Sequence, residues 1–203
     1  MAKRERVVTP MFRLSFPYVF KPYKNRPEDE PSYSITMLFP KETDMKPLSA
    51  LAKNAVTAKW AKDVPKNLRS PFRDGDEKAL DYPEMEGMTV VSAKSKMPPG
   101  IVDASLQKII NPDELYPGCW CRASITAYAY GGKGTPYRPG VAFGLVNIQK
   151  VKEDDPLWVR IDPSEEFEAL EAPAKGNDAS DLFAGFGGPV SGNDDKTDDD
   201  IPF

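Results

Sequence analysis

Histidine is missing altogether from the 203 residues. Its absence removes the usual general base, a common metal ligand and every Ser–His or Cys–His nucleophile pair. Cysteine is almost as scarce, with only Cys119 and Cys121. Two thiols cannot complete a four-ligand metal site, and they are too few for a disulfide framework. They read as two small buried side chains in a reducing compartment, so no metal, cofactor or redox chemistry is expected. No apolar run approaches the roughly 18 residues of a membrane span. The charged residues 1–6 lead into no apolar signal core, which points to a chain kept in a cytosol.

Proline is the residue in excess, at 21, with 14 glycines. Each interior proline removes a helical hydrogen bond and clashes with the preceding turn, which excludes a helical bundle or coiled coil. A β-rich domain with many turns fits instead.

The formal net charge of −4 hides an asymmetry. Residues 1–150 carry 23 Lys/Arg against 16 Asp/Glu, and residues 151–203 carry 4 against 15. The aromatics divide the same way, 16 to 5. The chain therefore reads as a basic, aromatic body over residues 1–164 and an acidic tail over 165–203. From Ala172 the tail holds too little apolar surface to offset the entropy of ordering, and disorder is expected.

In the body, Phe12, Leu14, Phe16, Tyr18 and Phe20 recur at period two, the mark of a half-buried strand. Residues 21–31 read as a polar loop carrying Lys21, Tyr23, Lys24 and Arg26. A second strand has Tyr33, Ile35, Met37 and Phe39 on one face and Ser34 and Thr36 on the other. Thr43 or Asp44 can cap a helix with Pro47 in its first turn, its apolar stripe being Leu48, Leu51, Ala52, Ala55 and Ala58. Residues 88–96 form a third strand, with Val91 and Ala93 inward and Ser92, Lys94 and Lys96 outward.

Residues 118–130 are the most informative. Cys119, Cys121, Ala123, Ile125, Ala127 and Ala129 make a small, apolar face. Trp120, Arg122, Ser124, Thr126, Tyr128 and Tyr130 make the other. A Gly131-Gly132-Lys133-Gly134 tip follows, then Tyr137 and Arg138, then a last strand over 141–151. The tip lacks the Lys-Ser/Thr pair and helix start of a nucleotide phosphate loop. Strands around one main helix fit a mainly β, Greek-key barrel of the oligonucleotide/oligosaccharide-binding type.

Single-stranded nucleic acid exposes phosphates and free base faces together. Its binding needs cations along a groove and flat rings for stacking. Lys21, Tyr23, Lys24, Lys94, Lys96, Trp120, Arg122, Tyr128, Tyr130, Lys133, Tyr137 and Arg138 are the candidates. A competing reading takes Asp74, Asp76 and Glu77 as the metal-binding carboxylates of a nuclease or recombination enzyme. With Gly75 among them, they read better as a solvated turn. The tail ends on Asp198, Asp199, Asp200, Ile201, Pro202 and Phe203. Its carboxylates mimic a short run of phosphates. A terminal aromatic ring beside a carboxylate suits a partner pocket with an apolar floor and a basic rim.

That six-residue ending resembles the C-terminus of bacterial single-stranded-DNA-binding proteins. The body resembles instead a family of phage-encoded single-stranded-DNA-binding proteins over about residues 8–158. The resemblance runs through Arg13-Leu14-Ser15-Phe16-Pro17, Pro71-Phe72-Arg73-Asp74-Gly75-Asp76, Gly118-Cys119 and Gly144-Leu145-Val146-Asn147-Ile148-Gln149-Lys150-Val151. It implies a non-enzymatic barrel that coats single-stranded DNA in phage replication, recombination or repair, in the host cytoplasm. It also implies that the tail captures host replication and repair proteins, and self-association on DNA is compatible with it.

Overall fold

The computed structural model describes residues 5–24, 26–132, 134–135, 137–158 and 166–168. The expected disorder of the tail and its six-residue ending fall outside these.

Among the described residues, eight strands and one α-helix follow in order: β1 (Val7–Val8), β2 (Phe12–Tyr23), β3 (Ser32–Pro40), α1 (Lys46–Trp60), β4 (Phe72–Asp74), β5 (Met88–Ser95), β6 (Gly100–Val102), β7 (Trp120–Tyr130) and β8 (Gly140–Lys152). Strand β2 pairs with β3, β3 with β5, β5 with β8, β8 with β7, and β7 with β2 again. The ring closes. All its pairings are antiparallel except β5 with β8. Counting the ring strands in chain order, they run first, second, third, fifth, fourth and back to the first. This is the expected mainly β, Greek-key barrel, closed through the short β2–β7 and β5–β8 pairings. Short β1, β4 and β6 pair outside the ring with β7, β5 and β8.

The barrel interior is filled by alternate residues of each strand: Phe12 and Leu14, Ile35 and Met37, Val91 and Ala93, Ala123 and Ile125, Phe143 and Leu145. Cys119 and Cys121 are buried among them with their sulfurs 3.7 Å apart. Their mutual hydrogen bond and their burial push the Cys121 thiol well up. Helix α1 buries Leu48, Leu51 and Ala52 and packs against β7, β8 and β1. Fully burying each leucine is worth about 1.5–3 kcal/mol. Of the two capping candidates, Asp44 is the one engaged, its Oδ1 accepting from Lys46 N at 3.0 Å, although Met45 is the cap residue itself. Ala55 is half-buried and Ala58 exposed, so the apolar stripe is shorter than its sequence pattern.

Strand β2 departs from its sequence pattern in two ways. Its alternation does not run unbroken: Ser15 pairs with Thr36 and Tyr18 with Ser34, so three steps on β2 oppose two on β3. Phe16 takes φ +46° at this bulge. The extra residue inverts the faces beyond it, as bulges do. Val19 is buried in place of its neighbours, and Phe16, Tyr18 and Phe20 are only half-buried. The strand also continues through Tyr23, where a loop was expected.

Candidate nucleic-acid interface

Beyond the bulge, the outward face of β2 meets the outward faces of β3 and β5 and the adjoining ends of β7 and β8. Together they form an open groove of about 480 Å³. Ile35, Val141 and Phe143 reach its floor from the core. Ser34, Thr36 and Ser92 supply hydroxyls. Besides Phe143 in the floor, five aromatic rings line it: Phe16, Tyr18, Tyr23, Tyr128 and Tyr130. Tyr18 and Tyr23 stack on each other, centroids 4.4 Å apart and planes 14° off parallel. Tyr128 and Tyr130 stand across the groove with centroids 6.5 Å apart. Tyr130 lies over Gly140, where an added Cβ would come within 2.5 Å of the tyrosine oxygen. Only a glycine admits the ring there.

The cations of the groove are Arg69, Arg73 and Lys94, and no aspartate or glutamate lines it among the described residues. Arg73 donates through Nη2 to Ser92 Oγ at 2.7 Å. Partial burial, and secondarily the charge of Arg69, pull the Arg73 guanidinium below its ordinary value. The segment carrying these arginines is fastened to the start of β8. Arg69 N donates to Pro139 O at 2.9 Å, and Val141 N to Arg69 O at 3.2 Å. Arg138 Nε donates to Asn67 O at 3.1 Å.

Of the residues singled out in the sequence, Tyr23, Lys94, Tyr128 and Tyr130 come together in this groove. Lys21 and Lys24 are exposed on either side of Tyr23 without lining it. Lys96 lies just past β5 and is paired with Glu30. Tyr137 is 70 % exposed beyond the β7–β8 turn. Lys133 lies outside the described residues, as do Asp198, Asp199, Asp200, Ile201, Pro202 and Phe203.

Trp120 and Arg122 are not brought to the groove. They share the nominal face of Tyr128 but stand at the other end of β7. Trp120 Nε1 donates to Asp154 Oδ2 at 2.5 Å, with Lys152 Nζ 5.1 Å from the ring centroid. Arg122 Nε donates to Gln149 Oε1 at 2.8 Å. The hydrogen bond from Trp120 is the main cause holding the Asp154 carboxyl below its usual range.

Sequence reasoning missed Phe16 and Tyr18 as groove residues, because the bulge hides their face. It also missed Arg69 and Arg73, which lie in a stretch without periodicity. Two arginines bracketing Ser70-Pro71-Phe72 was the only signal available. The acidic turn has a different occupation: Lys41 Nζ grips Asp74 at 3.2 Å and Asp76 at 2.5 Å. Asp76 also accepts from Gly87 N at 2.7 Å, and these bonds, Lys41 first, lower its carboxyl. Among the described residues, no group of three or more carboxylate or cysteine side chains is placed to hold a metal ion.

No curated protein matches this sequence. Solved structures do. The single-stranded-DNA-binding protein from bacteriophage Enc34, in complex with single-stranded DNA, is 28% identical, with a TM-score of 0.64 over 74% of this chain and 88% of that one. A second structure of the single-stranded-DNA-binding protein from bacteriophage Enc34 is 27% identical, with a TM-score of 0.60 over 80% of this chain and 90% of that one. A single-stranded-DNA-binding protein encoded by bacteriophage T7 shares the fold, with a TM-score of 0.57 at 13% identity over 85% of this chain and 100% of that one. The model of the Enterobacter phage Enc34 single-stranded-DNA-binding protein family matches residues 5–180. A barrel of this topology, matched along most of its length by that model, belongs to the Enc34 single-stranded-DNA-binding protein family.

Proposed function

We propose that this protein binds single-stranded DNA in the groove of β2, β3, β5 and the adjoining ends of β7 and β8, without chemical catalysis. The observation that carries the reading is the composition of the groove: five rings above its floor and three cations, with no carboxylate among its described lining. Rings offer stacking worth roughly 1–3 kcal/mol per base, with little regard to which base it is. Duplex bases are already stacked and cannot use them. The cations neutralise phosphates and release counterions, so affinity falls with salt at a log–log slope of about 0.7 per phosphate.

The test is a fluorescence titration with oligo-dT and with duplex of equal length, repeated over a salt series. Binding well above duplex, weakening steadily with salt, is expected. Equal affinity for duplex, or a flat salt response, would overturn the proposal.

The cellular reading follows from the same chemistry. A sequence-indifferent coat on single strands serves replication, recombination or repair of phage DNA. The ending Asp198, Asp199, Asp200, Ile201, Pro202 and Phe203 docks host replication proteins by presenting a terminal ring and carboxylates. Removing Phe203 alone should abolish capture of host proteins in a pull-down while leaving oligo-dT affinity nearly unchanged. Retention of every host partner by that variant would remove the docking role.

A further inference from the structure

Arg69 and Arg73 stand on the same wall of the groove, and neither forms an ion pair among the described residues. Their proximity is imposed by the backbone. Arg69 is bonded at both its N–H and its C=O to Pro139 and Val141. Arg73 lies on β4, in register with Val90. The two like charges are thereby held within reach of each other, a placement that costs free energy in the empty groove. A guanidinium carries five N–H donors in a planar fork that matches phosphate oxygens. Arg73 spends one of these on Ser92, which fixes the plane of its fork. The side chain of Arg69 spends none among the described residues.

Gly140 ties this wall to the rings. A Cβ added there would meet Tyr130 Oη at 2.5 Å and Arg69 Cβ at 3.1 Å, so ring and arginine flank a single bare backbone position. An anion on the arginines would thus have a stacking surface immediately beside it.

We infer that Arg69 and Arg73, oriented by Ser92, jointly seat one phosphate group of the bound strand, with its base against Tyr130. This assignment rests on the groove being the DNA site and adds which group grips which part of the nucleotide. The seat takes a phosphodiester or a terminal phosphate, since both offer the same oxygens. Lys94, on the neighbouring β5, is a separate point charge.

The measurement is the salt slope of oligo-dT binding by the full chain, with 5′-hydroxyl and 5′-phosphate oligonucleotides, for Arg69→Ala, Arg73→Ala, the double variant and Lys94→Ala. Thermal melts accompany each isotherm. If one phosphate is shared, the double variant lowers the slope by about 0.7 in all, and combining it with Lys94→Ala lowers it by about 0.7 more. Arg73→Lys keeps a charge but loses the fork, and roughly a tenfold loss of affinity is expected. Losses on both oligonucleotides assign an internucleotide phosphate, and losses on the 5′-phosphate form alone assign a terminal one. A double variant that lowers the slope by about 1.4, or not at all, overturns the shared seat. Tyr128→Ala separates the two readings. If it weakens binding while the arginine double variant leaves the slope intact, the seat fails and the groove stands. If neither changes anything, the groove itself fails.

Discussion

Tyr128 and Arg122 lie six residues apart on one strand, nominally on one face, about 20 Å from each other along an extended backbone. The coiling of β7 around the barrel gives them different neighbours. Tyr128 lines the groove and is 38 % exposed, whereas Arg122 is held by Gln149. Tyr128→Ala should therefore weaken oligo-dT binding by roughly five- to a hundred-fold, the value of one stacked base, without the loss of about 3 kcal/mol or more typical of a core aromatic truncation. Arg122→Ala should leave the salt slope unaltered. Paired isotherms and melts check both, and a large drop in melting temperature for Tyr128→Ala would assign the ring to packing instead. At this scale the sequence was informative about chemistry and silent about position. Tyr23, Lys94, Tyr128 and Tyr130 were recognisable as ring and cation types, but nothing local distinguishes them from Trp120 and Arg122, which sit at the far end of the same sheet.

Among the elements, the bulge at Ser15, Phe16 and Pro17 decides most about the groove. Phe16 holds φ +46°, which costs a residue with a side chain on the order of 1 kcal/mol. Its ring recovers that by packing edge-on against Tyr82, centroids 5.4 Å apart, and tilted against Trp158 at 5.0 Å. Deleting residues 16 and 17 together should return β2 to unbroken alternation in the other parity, turning Tyr18 toward the core and Val19 outward, whereas loss of one residue would leave both faces as they are. The expected outcome of the double deletion is a loss of both DNA binding and several kcal/mol of stability. Phe16→Gly tolerates the positive φ and keeps the parity, so it should retain the fold and most of the affinity, at the expense of the ring contacts. Urea unfolding and oligo-dT titration of the two variants test this, and equal behaviour would deny the bulge its role. Strands β3, β5, β7 and β8 were legible because alternation is a local signal, and α1 because its stripe and proline are. The bulge was not, since it depends on one backbone angle that no composition announces. The Arg69–Arg73 segment was not either, because its place is set by hydrogen bonds to residues about 70 positions away.

Over the whole molecule, charge is sorted by location. Several carboxylates of the body are committed to lysines, backbone or Trp120, as with Asp76 on Lys41 and Asp154 on Trp120. Residues 153–158 are fastened in this way: Tyr116 Oη donates to Glu153 Oε2 at 2.5 Å, Arg13 Nη2 to Asp155 O at 2.8 Å, and Leu157 N to Pro117 O at 3.0 Å. Glu153, through Lys150 first, and Asp154, through Trp120 first, are both held below the ordinary carboxylate range. A depressed folded value means their contribution is complete above the unfolded value of about 4 and is lost as pH falls through the lower folded one. Acidification below about pH 4 should release this segment first, visible as a change in tryptophan emission from Trp120 and Trp158 before the far-ultraviolet signal of the barrel moves. A single coincident transition would contradict it. The groove behaves differently. Its described lining contains no carboxylate, histidine or thiol, so it holds none of the side-chain types that ordinarily exchange protons near neutrality. In the proposed role its grip on single-stranded DNA should therefore stay constant across about pH 6 to 8 and weaken with ionic strength, which makes dissolved salt the variable that loosens the complex.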